Sequence, residues 1–458
     1  MTVNLQKFFQ ATDPAKPLSI GNLEDKQYYI DFSSVRGGEI IKKLKQKITF
    51  LSPDQPTCTL FTGHIGCGKS TELLRLKVEL EQEGFHVVYF ESSEDLEMTD
   101  VDISNVLLAI AHQISQSLDN ITIEEPRGLK ELLRGAGKLL LTELEFQKFE
   151  LGWPEGIGLP KGIKLGFRAN NQGEFSLAMG IGEITAKAKS DAKLREKLNQ
   201  YLGPQKNQLL NAINKELLEP MLAKLKQQGK KGLVVIVDNL DRLDNREQLF
   251  GRSQQEYLFV DQGEYLSKLH CHLVYTIPLA LKFSNDYGNL IQRFEEPKVL
   301  PMVSVQLQDG SDHKKGMALM RQMVLARAFP DLDEQQRLGA IPEVFDSTET
   351  LDRLCRVSGG HVRDLLRLLN TWIMEEMQLP LSRTTLEVVI RARRNEMTMP
   401  ISDDEWELLR QVRRRKKVAG HQQYQTLIRS RLVFEYRDSE EPWFDINPVL
   451  AEAKELQS

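Results

Sequence analysis

A glycine-rich stretch between a predicted strand and a predicted helix is the feature that most constrains this chain. Residues 57–62 are short, apolar and β-prone, which is typical of a buried strand. From Thr71 onward, leucines recur at the spacing of one helix face. Between these segments, the sequence GHIGCGKS begins at Gly63 and places three glycines before Lys69. Such backbone freedom at the start of a helix indicates a loop that turns its N–H groups toward a ligand.

The stretch fits the phosphate-binding pattern Gly-x-x-x-x-Gly-Lys-Ser in full. Backbone N–H groups surround the phosphate oxygens, and the helix N-terminus adds its positive dipole end. In this pattern Lys69 reaches the β- and γ-phosphates, and Ser70 is a ligand of Mg²⁺. The alternative is a plain glycine turn before an amphipathic helix. The predicted nucleotide-binding residues are Gly63, His64, Ile65, Gly66, Cys67, Gly68, Lys69, Ser70 and Thr71.

The base of the nucleotide is predicted to be adenine. A GTPase carries a base-reading Asn-Lys-x-Asp motif. The nearest stretch here, residues 214–217 (NKEL), lacks the aspartate and lies in a helical pattern. ATP with Mg²⁺ is therefore the expected cofactor.

A second strand supplies the acid that holds Mg²⁺. The sequence GLVVIVDNLDRL contains five consecutive apolar residues, 233–237, and then Asp238, which is typical of a buried parallel strand ending at a ligand. The alternative is a core strand that ends at a solvated turn. Asn239 follows, where many ATPases have a water-activating glutamate, so Asp241 is the candidate for orienting water. Without that glutamate, a slowly hydrolysing switch is as consistent with the sequence as a fast motor.

Three more predicted strands complete a doubly wound parallel sheet with helices between the strands. Residues 85–90 end near Glu91, residues 270–276 end in Thr276, and residues 299–305 contain a proline that indicates an edge strand. Ligands of such sheets lie at the carboxyl ends of the strands. Thr276 is thus placed to sense the γ-phosphate, with an ordinary core threonine as the alternative.

The chain resembles the signal-transducing ATPases called STAND and the AAA+ proteins of the origin-recognition type. The resemblance rests on the glycine-rich pattern, residues 238–242 and Thr276. The run Asp-Asn-Leu-Asp-Arg, residues 238–242, also resembles the KAP group of P-loop NTPases. The resemblance covers about residues 18–374 and implies an ATPase. When the roles implied by the resemblance are included, the predicted catalytic residues are Lys69, Asp238, Asp241, Thr276, Arg293 and Arg363.

The resemblance implies roles for two arginines. Arg293 stands at a predicted helix end before the last strand, where AAA+ proteins place an arginine that reaches the γ-phosphate of a neighbouring subunit. Arg363 lies in VSGGHVRDLLRLL, which resembles the start of a lid helix whose arginine touches phosphate. The alternatives are a surface arginine favoured by the helix dipole and an i,i+4 partner on an exposed face.

An N-terminal segment resembles the adenine-side segment of these ATPases. Tyr29, Asp31 and Arg36 are the candidates near the base, and an ordinary capped helix under the sheet is the alternative.

The chain between the second and third strands is much longer than one crossover needs. Alternating stretches flank Asn170-Asn171-Gln172-Gly173, which predicts a hairpin, and residues 190–228 have helical periodicity. We predict an inserted α+β module over about residues 124–205, either a partner-binding arm or a tolerated decoration.

The C-terminal region has the helix, helix, hairpin order of a winged helix. Residues 406–412 and 424–432 are predicted helices, and two short strands surround a turn near Ser439. Acidic residues in the predicted wing oppose DNA binding, whereas a basic cluster favours it. DNA contact and protein contact are therefore both open. The basic cluster comprises Arg391, Arg393, Arg394, Arg410, Arg413, Arg414, Arg415, Lys416, Lys417, Arg429 and Arg431.

The resulting division is an N-terminal segment at 1–50, a P-loop ATPase core at 51–310, a helical lid at 311–385 and a winged helix at 386–458. The net charge of −5 argues against a general nucleic-acid coat. No apolar run approaches the length of a membrane span, no signal peptide is evident, and the four cysteines are scattered. A cytoplasmic protein without membrane contact is expected.

Three functions fit these patterns. The first is a slowly hydrolysing ATP switch of STAND or AAA+ type, acting in signalling or defence. It would self-associate through Arg293 and act on an effector or sensor protein. The second is a DNA-binding initiator- or loader-like ATPase. The third is a nucleotide-binding scaffold that does not hydrolyse ATP.

Overall fold

The computed structural model describes residues 3–118, 126–150, 177–247, 251–420, 422–438 and 441–457. At its centre is a five-stranded sheet in which every paired strand is parallel. The spatial order is β2-β3-β4-β1-β5. The strands are β1 (Cys58–Thr62), β2 (His86–Glu91), β3 (Leu233–Asp238), β4 (His272–Ile277) and β5 (Lys298–Val299).

The strand positions follow from the burial of their side chains. Every residue of β3 and β4 is buried, because these strands lie inside the sheet with helices on both faces. β5 lies at the edge of the sheet, as the proline predicts, but it has only two residues. The predicted strand over residues 299–305 is therefore wrong beyond Val299, because the chain leaves the sheet before Pro301. Beyond it, the Met302 N–H donates to the carbonyl of Glu435 in the C-terminal hairpin.

Helices cover both faces of the sheet. The first part of the chain forms α1 (Leu5–Ala11), α2 (Leu23–Lys26), α3 (Ile40–Gln46), α4 (Lys69–Gln82), α5 (Ser92–Asp95) and α6 (Ile103–Ser117). α3 and α4 pack on one face with Phe61 and Ile236. α6 packs on the other face with Val235 and Leu273. The result is a doubly wound α/β sheet.

The inserted segment is helical wherever the structure describes it. Its helices and those that follow are α7 (Arg127–Glu150), α8 (Leu177–Ser190), α9 (Ala192–Leu202), α10 (Lys206–Ala212) and α11 (Glu219–Gln227). Leu140, Ile184 and Leu198 belong to the same hydrophobic cluster as strands β3 and β4. These helices therefore extend the core of the sheet. The hairpin predicted around residues 170–173 lies outside the described residues.

The remaining helices of the sheet domain and the lid follow in chain order. They are α12 (Gln254–Glu256), α13 (Gly263–Ser267), α14 (Tyr287–Phe294), α15 (Lys314–Ala328), α16 (Glu334–Gly339), α17 (Thr348–Val357), α18 (Val362–Glu376) and α19 (Arg383–Thr398). Helices α15, α17 and α18, which fall in the predicted lid (residues 311–385), share one core with Phe8 of α1, so the N-terminal helix packs on these helices.

The C-terminal region has the predicted order of two helices and a hairpin. α20 (Asp403–Arg415) and α21 (Gln422–Arg429) precede the antiparallel strands β6 (Val433–Arg437) and β7 (Pro442–Ile446). One face of this hairpin, with Phe444, packs on α20 and α21. The other face, with Phe434 and Tyr436, joins the core beneath the glycine-rich loop. No helix in the described ranges combines the length and hydropathy required to cross a bilayer.

Candidate nucleotide-binding site

The glycine-rich loop joins β1 to the N-terminus of α4. Gly68 adopts the left-handed conformation (φ 105°) immediately before the helix, and no side chain caps α4. Gly66 also has positive φ (93°), and a Cβ there would lie 2.7 Å from His361 Cε1. Both positions therefore require glycine. The first N–H groups of α4 have no intrahelical partner, so they form an anion-binding helix end.

Lys69 is buried within this loop. Its Nζ donates to the carbonyls of Gly63 and His64, both at 2.9 Å, and pairs with Asp241 Oδ2 at 2.9 Å. Burial opposes the charge most strongly, but Asp241, together with the smaller effects of Cys67 and Asp238, raises the pKa of Lys69 above its ordinary value. Lys69 is therefore a cation held at the loop. The charge partner of Asp241 is this lysine, which is a contact that the prediction of a water-orienting role did not anticipate.

Asp238 and Ser70 line the same cavity beside the loop. Asp238 ends β3 and is 1% exposed. Its Oδ2 accepts from Tyr89 Oη at 2.8 Å, and its Oδ1 accepts from the Asn239 N–H at 2.7 Å. Burial and the charge of Asp238 raise the pKa of Tyr89, so its phenol stays a donor. A hydroxyl and a buried carboxylate are hard oxygen donors, which fit Mg²⁺.

Glu91 lines this cavity, although no role was predicted for it. It ends β2 and lies opposite Asp238 in the parallel register. Asn239 Nδ2 donates to Glu91 Oε2 at 2.5 Å. Burial, and then the charge of Asp238, raise the pKa of Glu91. The available signal was the acidic residue at the carboxyl end of a predicted strand.

Arg363 lies where the lid meets the loop. Its backbone N–H donates to the carbonyl of Gly66 at 3.1 Å, and its side-chain Nε donates to the carbonyl of Pro14 at 3.2 Å. Burial, followed by the neighbouring charges of Arg242 and Arg367, lowers the pKa of Arg363. Arg242 and Arg363 both line the cavity. Two close cations there favour an anionic ligand.

The N-terminal segment forms one wall of the cavity. Pro14, Ala15, Lys16 and Pro17 line it, and Val362 and Leu366 of α18 lie there as well. Apart from Lys16, these residues give an apolar side next to the phosphate-binding end. Proline-rich residues before the first predicted core helix carried no recognisable signal in the sequence.

The predicted base-side residues lie elsewhere. Tyr29 Oη donates to Glu72 Oε1 and accepts from Arg75, while Asp31 pairs with Arg75 at 3.4 Å. These contacts are on α4, and neither Tyr29 nor Asp31 lines the cavity. Arg36 Nη2 donates to the carbonyl of Cys67 at 2.7 Å and so supports the loop from behind.

Thr276 is a buried residue of β4 and is not among the residues that line the cavity. Its Oγ1 accepts from the Leu240 N–H at 3.0 Å and donates to the carbonyl of Val237 at 3.4 Å. The structure therefore places its hydroxyl in the core, where it fixes the turn that carries Asp241.

Replacing Thr276 by valine is expected to cost about 1–3 kcal/mol of unfolding free energy, because the buried Leu240 N–H loses its acceptor. Chemical denaturation of Thr276→Val and of the matched variant Thr276→Ser, which keeps the hydroxyl, measures this loss. Unchanged stability with a loss of ATP turnover in Thr276→Val would instead support the γ-phosphate sensor.

Arg293 lies outside the cavity, in the last turn of α14. Its guanidinium donates to the carbonyl of Val260. It flanks a surface depression together with Arg252 and Asp261. Within one copy of the chain, Arg293 is therefore not brought to the phosphate-binding loop.

The C-terminal hairpin contacts the phosphate-binding loop directly. The Glu435 N–H donates to His64 Nε2 at 2.9 Å, and His361 Nε2 donates to the carbonyl of Ile65 at 2.9 Å. The ring of Phe434 lies between the two histidines, with centroids 5.6 and 5.5 Å away. Burial lowers the pKa of His64 well below its usual value, so the ring is neutral. Loop, lid and hairpin thus meet at Phe434.

The fold and this site define a P-loop NTPase domain: a parallel sheet whose first strand leads through a glycine-rich loop to a buried lysine and an anion-binding helix end. Residues 38–249, slightly less than half of the chain, match the family model described as the KAP family P-loop domain. The sequence similarity therefore covers the sheet domain up to the turn after β3.

Solved structures resemble the chain remotely. The Walker-type ATPase PABY2304 of Pyrococcus abyssi has 12% identity and a TM-score of 0.41, covering 98% of this chain and 100% of that chain. ORC2 of Aeropyrum pernix has 12% identity and a TM-score of 0.40, covering 98% and 95%. Cdc6p of Pyrobaculum aerophilum has 11% identity and a TM-score of 0.36, covering 95% and 97%. No characterised protein sequence gives a significant match.

Proposed function

We propose that the protein is an ATP-dependent switch that binds ATP with Mg²⁺, hydrolyses it slowly and passes the nucleotide state to its C-terminal region. The single observation that carries this proposal is the junction at Phe434, where the phosphate-binding loop, the lid and the C-terminal hairpin touch. A nucleotide that moves the loop must also act on the hairpin, because the interior there is closely packed.

The triphosphate would be held by the charged end of the cavity. The N–H groups at the start of α4 and the ammonium of Lys69 would bind its oxygens, and Arg363 would contact it from the lid. Ser70 and Asp238 would hold Mg²⁺, which neutralises charge on the transferred phosphate. The wall formed by residues 14–17 would accept the base. ATP rather than GTP is proposed because the guanine-reading motif is absent from the sequence.

The conformational difference between the states with and without the γ-phosphate would lie in the lid. Arg363 is tied both to Gly66 of the loop and to Pro14 of the N-terminal segment. A γ-phosphate that attracts Arg363 would favour the closed lid, and release of phosphate would remove that preference. A ligand shifts such an equilibrium only through its different affinity for the two states.

The C-terminal region is proposed to be a winged helix that contacts protein. Many of its basic side chains already have carboxylate partners within the chain, which leaves less charge for DNA phosphates. These pairs are Arg393–Glu396, Arg394–Glu452, Arg410–Glu407 and Lys416–Asp445. An effector or sensor protein, in signalling or defence, is therefore the proposed partner, and DNA binding is the competing outcome of the test below.

Self-association through Arg293 is part of the same proposal. The residue lies in the last turn before β5 and next to a surface depression, so it is available to a neighbouring copy of the chain.

The four cysteines are free, which supports a reducing compartment such as the cytoplasm.

Molecular mass and ATPase rate, measured together with ATP, ADP or duplex DNA at low salt, test this function. We expect Mg²⁺-dependent ATP binding and slow turnover that rises with protein concentration and is indifferent to DNA. Arg293→Ala should remove only the concentration-dependent part of the rate. Binding of neither ATP nor ADP would contradict the proposal. DNA-stimulated turnover would favour the initiator-like alternative.

A further inference from the structure

Glu91 is a carboxylate at the phosphate end of the cavity with no role in the site described so far. It ends β2 and pairs in register with Asp238, so both side chains project from the same face of the sheet. Lys69, Ser70 and Glu91 line one cavity. Its position is therefore beside the predicted Mg²⁺ ligands and facing the place of the triphosphate.

Asn239 holds this carboxylate in place. Its backbone is left-handed (φ 65°), and its Nδ2 donates to Glu91 Oε2. This contact engages one carboxylate oxygen and leaves the other for a ligand of the cavity. The position after Asp238, where a water-activating glutamate is often found, thus carries an amide that orients an acid on the neighbouring strand.

Asp241 is less suited to activate water. Its Oδ2 pairs with Lys69 Nζ in a contact where both side chains are at most 5% exposed. A carboxylate that neutralises a buried lysine is a weaker proton acceptor than a free one. Glu91 accepts its hydrogen bond from a neutral amide, which leaves its carboxylate a stronger proton acceptor than one that is paired with a buried lysine.

We propose that Glu91, and not Asp241, orients the attacking water and accepts its proton, an assignment that rests on the ATP hydrolysis proposed above. The water oxygen forms a bond to the γ-phosphorus while the bond from that phosphorus to the bridging oxygen breaks. The electron pair of the broken bond stays on the β-phosphate of ADP. The water proton passes to Glu91 and then to the released phosphate or to solvent.

Glu91→Gln is the sharpest test, because the amide oxygen of glutamine still accepts from Asn239 and the shape is unchanged. We expect the ATPase rate to fall about 100-fold or more, the usual range for loss of a general base. Affinity for ATP should be retained, and the nucleotide recovered from the protein after incubation should be ATP instead of ADP. Glu94→Gln, an exposed acid in α5, is the matched control and should behave as wild type.

The outcomes separate this assignment from the wider function. Wild-type turnover with equal turnover in Glu91→Gln would overturn the role of Glu91 alone. Nucleotide binding without turnover in the wild-type protein would overturn the hydrolysis and the role of Glu91 together. Loss of the Mg²⁺-dependent part of ATP affinity in Glu91→Gln, as expected for Ser70→Ala, would make Glu91 a metal ligand and would also overturn the assignment.

Discussion

Replacing Lys69 by alanine is expected to weaken ATP binding by about 100-fold or more and to abolish turnover. The lysine is the buried cation of the loop, and truncating one member of a buried, hydrogen-bonded charge pair costs about 2–5 kcal/mol. Isothermal titration with ATP and Mg²⁺ measures the affinity. Lys77→Ala is the control and should bind normally, because Lys77 lies on a partly exposed face of the same helix, where it pairs with Glu81 at 3.9 Å.

The same substitution leaves Asp241 buried without its cation, which should lower the unfolding free energy by about 3–5 kcal/mol. The double variant Lys69→Ala/Asp241→Asn removes that uncompensated charge. It should recover most of the stability but none of the ATP affinity. Normal ATP affinity in the folded double variant would refute the role of Lys69 in phosphate binding.

Replacing Phe434 by alanine is expected to cost about 3–5 kcal/mol of unfolding free energy, because the ring is fully buried between His64 and His361. It should also disconnect the C-terminal hairpin from the loop. At a temperature where the variant remains folded, ATP should still bind, but the change that ATP produces in the C-terminal region should be lost.

Phe444→Ala provides the matched control for this second variant. Phe444 is buried on the other face of the hairpin, where it packs on α20 and α21. Its loss should destabilise the C-terminal region while leaving the contact between hairpin and loop intact. Equal ATP responses in Phe434→Ala and Phe444→Ala would show that Phe434 does not transmit the nucleotide state.

The sequence was sufficient for the parts of the fold that depend on local pattern. Apolar runs with β-prone residues predicted the central strands, Pro301 predicted the edge position of the last strand but not its two-residue length, and the glycine spacing predicted the loop before α4. These signals work because strand burial, proline geometry and helix-end phosphate binding each act within a few neighbouring residues.

Contacts between distant segments were beyond this kind of prediction. The pairing of Lys69 with Asp241 and the hydrogen bond from Asn239 to Glu91 each depend on strand register, which a single sequence does not reveal. The placement of Thr276 in the core also depends on the turn after β3. The acids at the strand ends can be recognised in the sequence. Which of them pairs with Lys69 and which is held by Asn239 is known only from the three-dimensional structure.

The contact between the C-terminal hairpin and the phosphate-binding loop was equally invisible. His64 occupies a variable position of the glycine-rich pattern, and Phe434 belongs to an ordinary amphipathic strand. The contact between these two distant parts of the chain links the predicted nucleotide site to the C-terminal hairpin.

Hydrogen exchange of strand β6 measures this coupling at its point of contact. The exchange rates are compared in three states: without nucleotide, with Mg²⁺ and ADP, and with Mg²⁺ and a non-hydrolysable ATP analogue. We predict that the analogue slows exchange both in residues 63–71 and in residues 433–437, and that ADP slows the second segment less. Protection of residues 63–71 with identical exchange of residues 433–437 in all three states would contradict a nucleotide switch that acts through the hairpin.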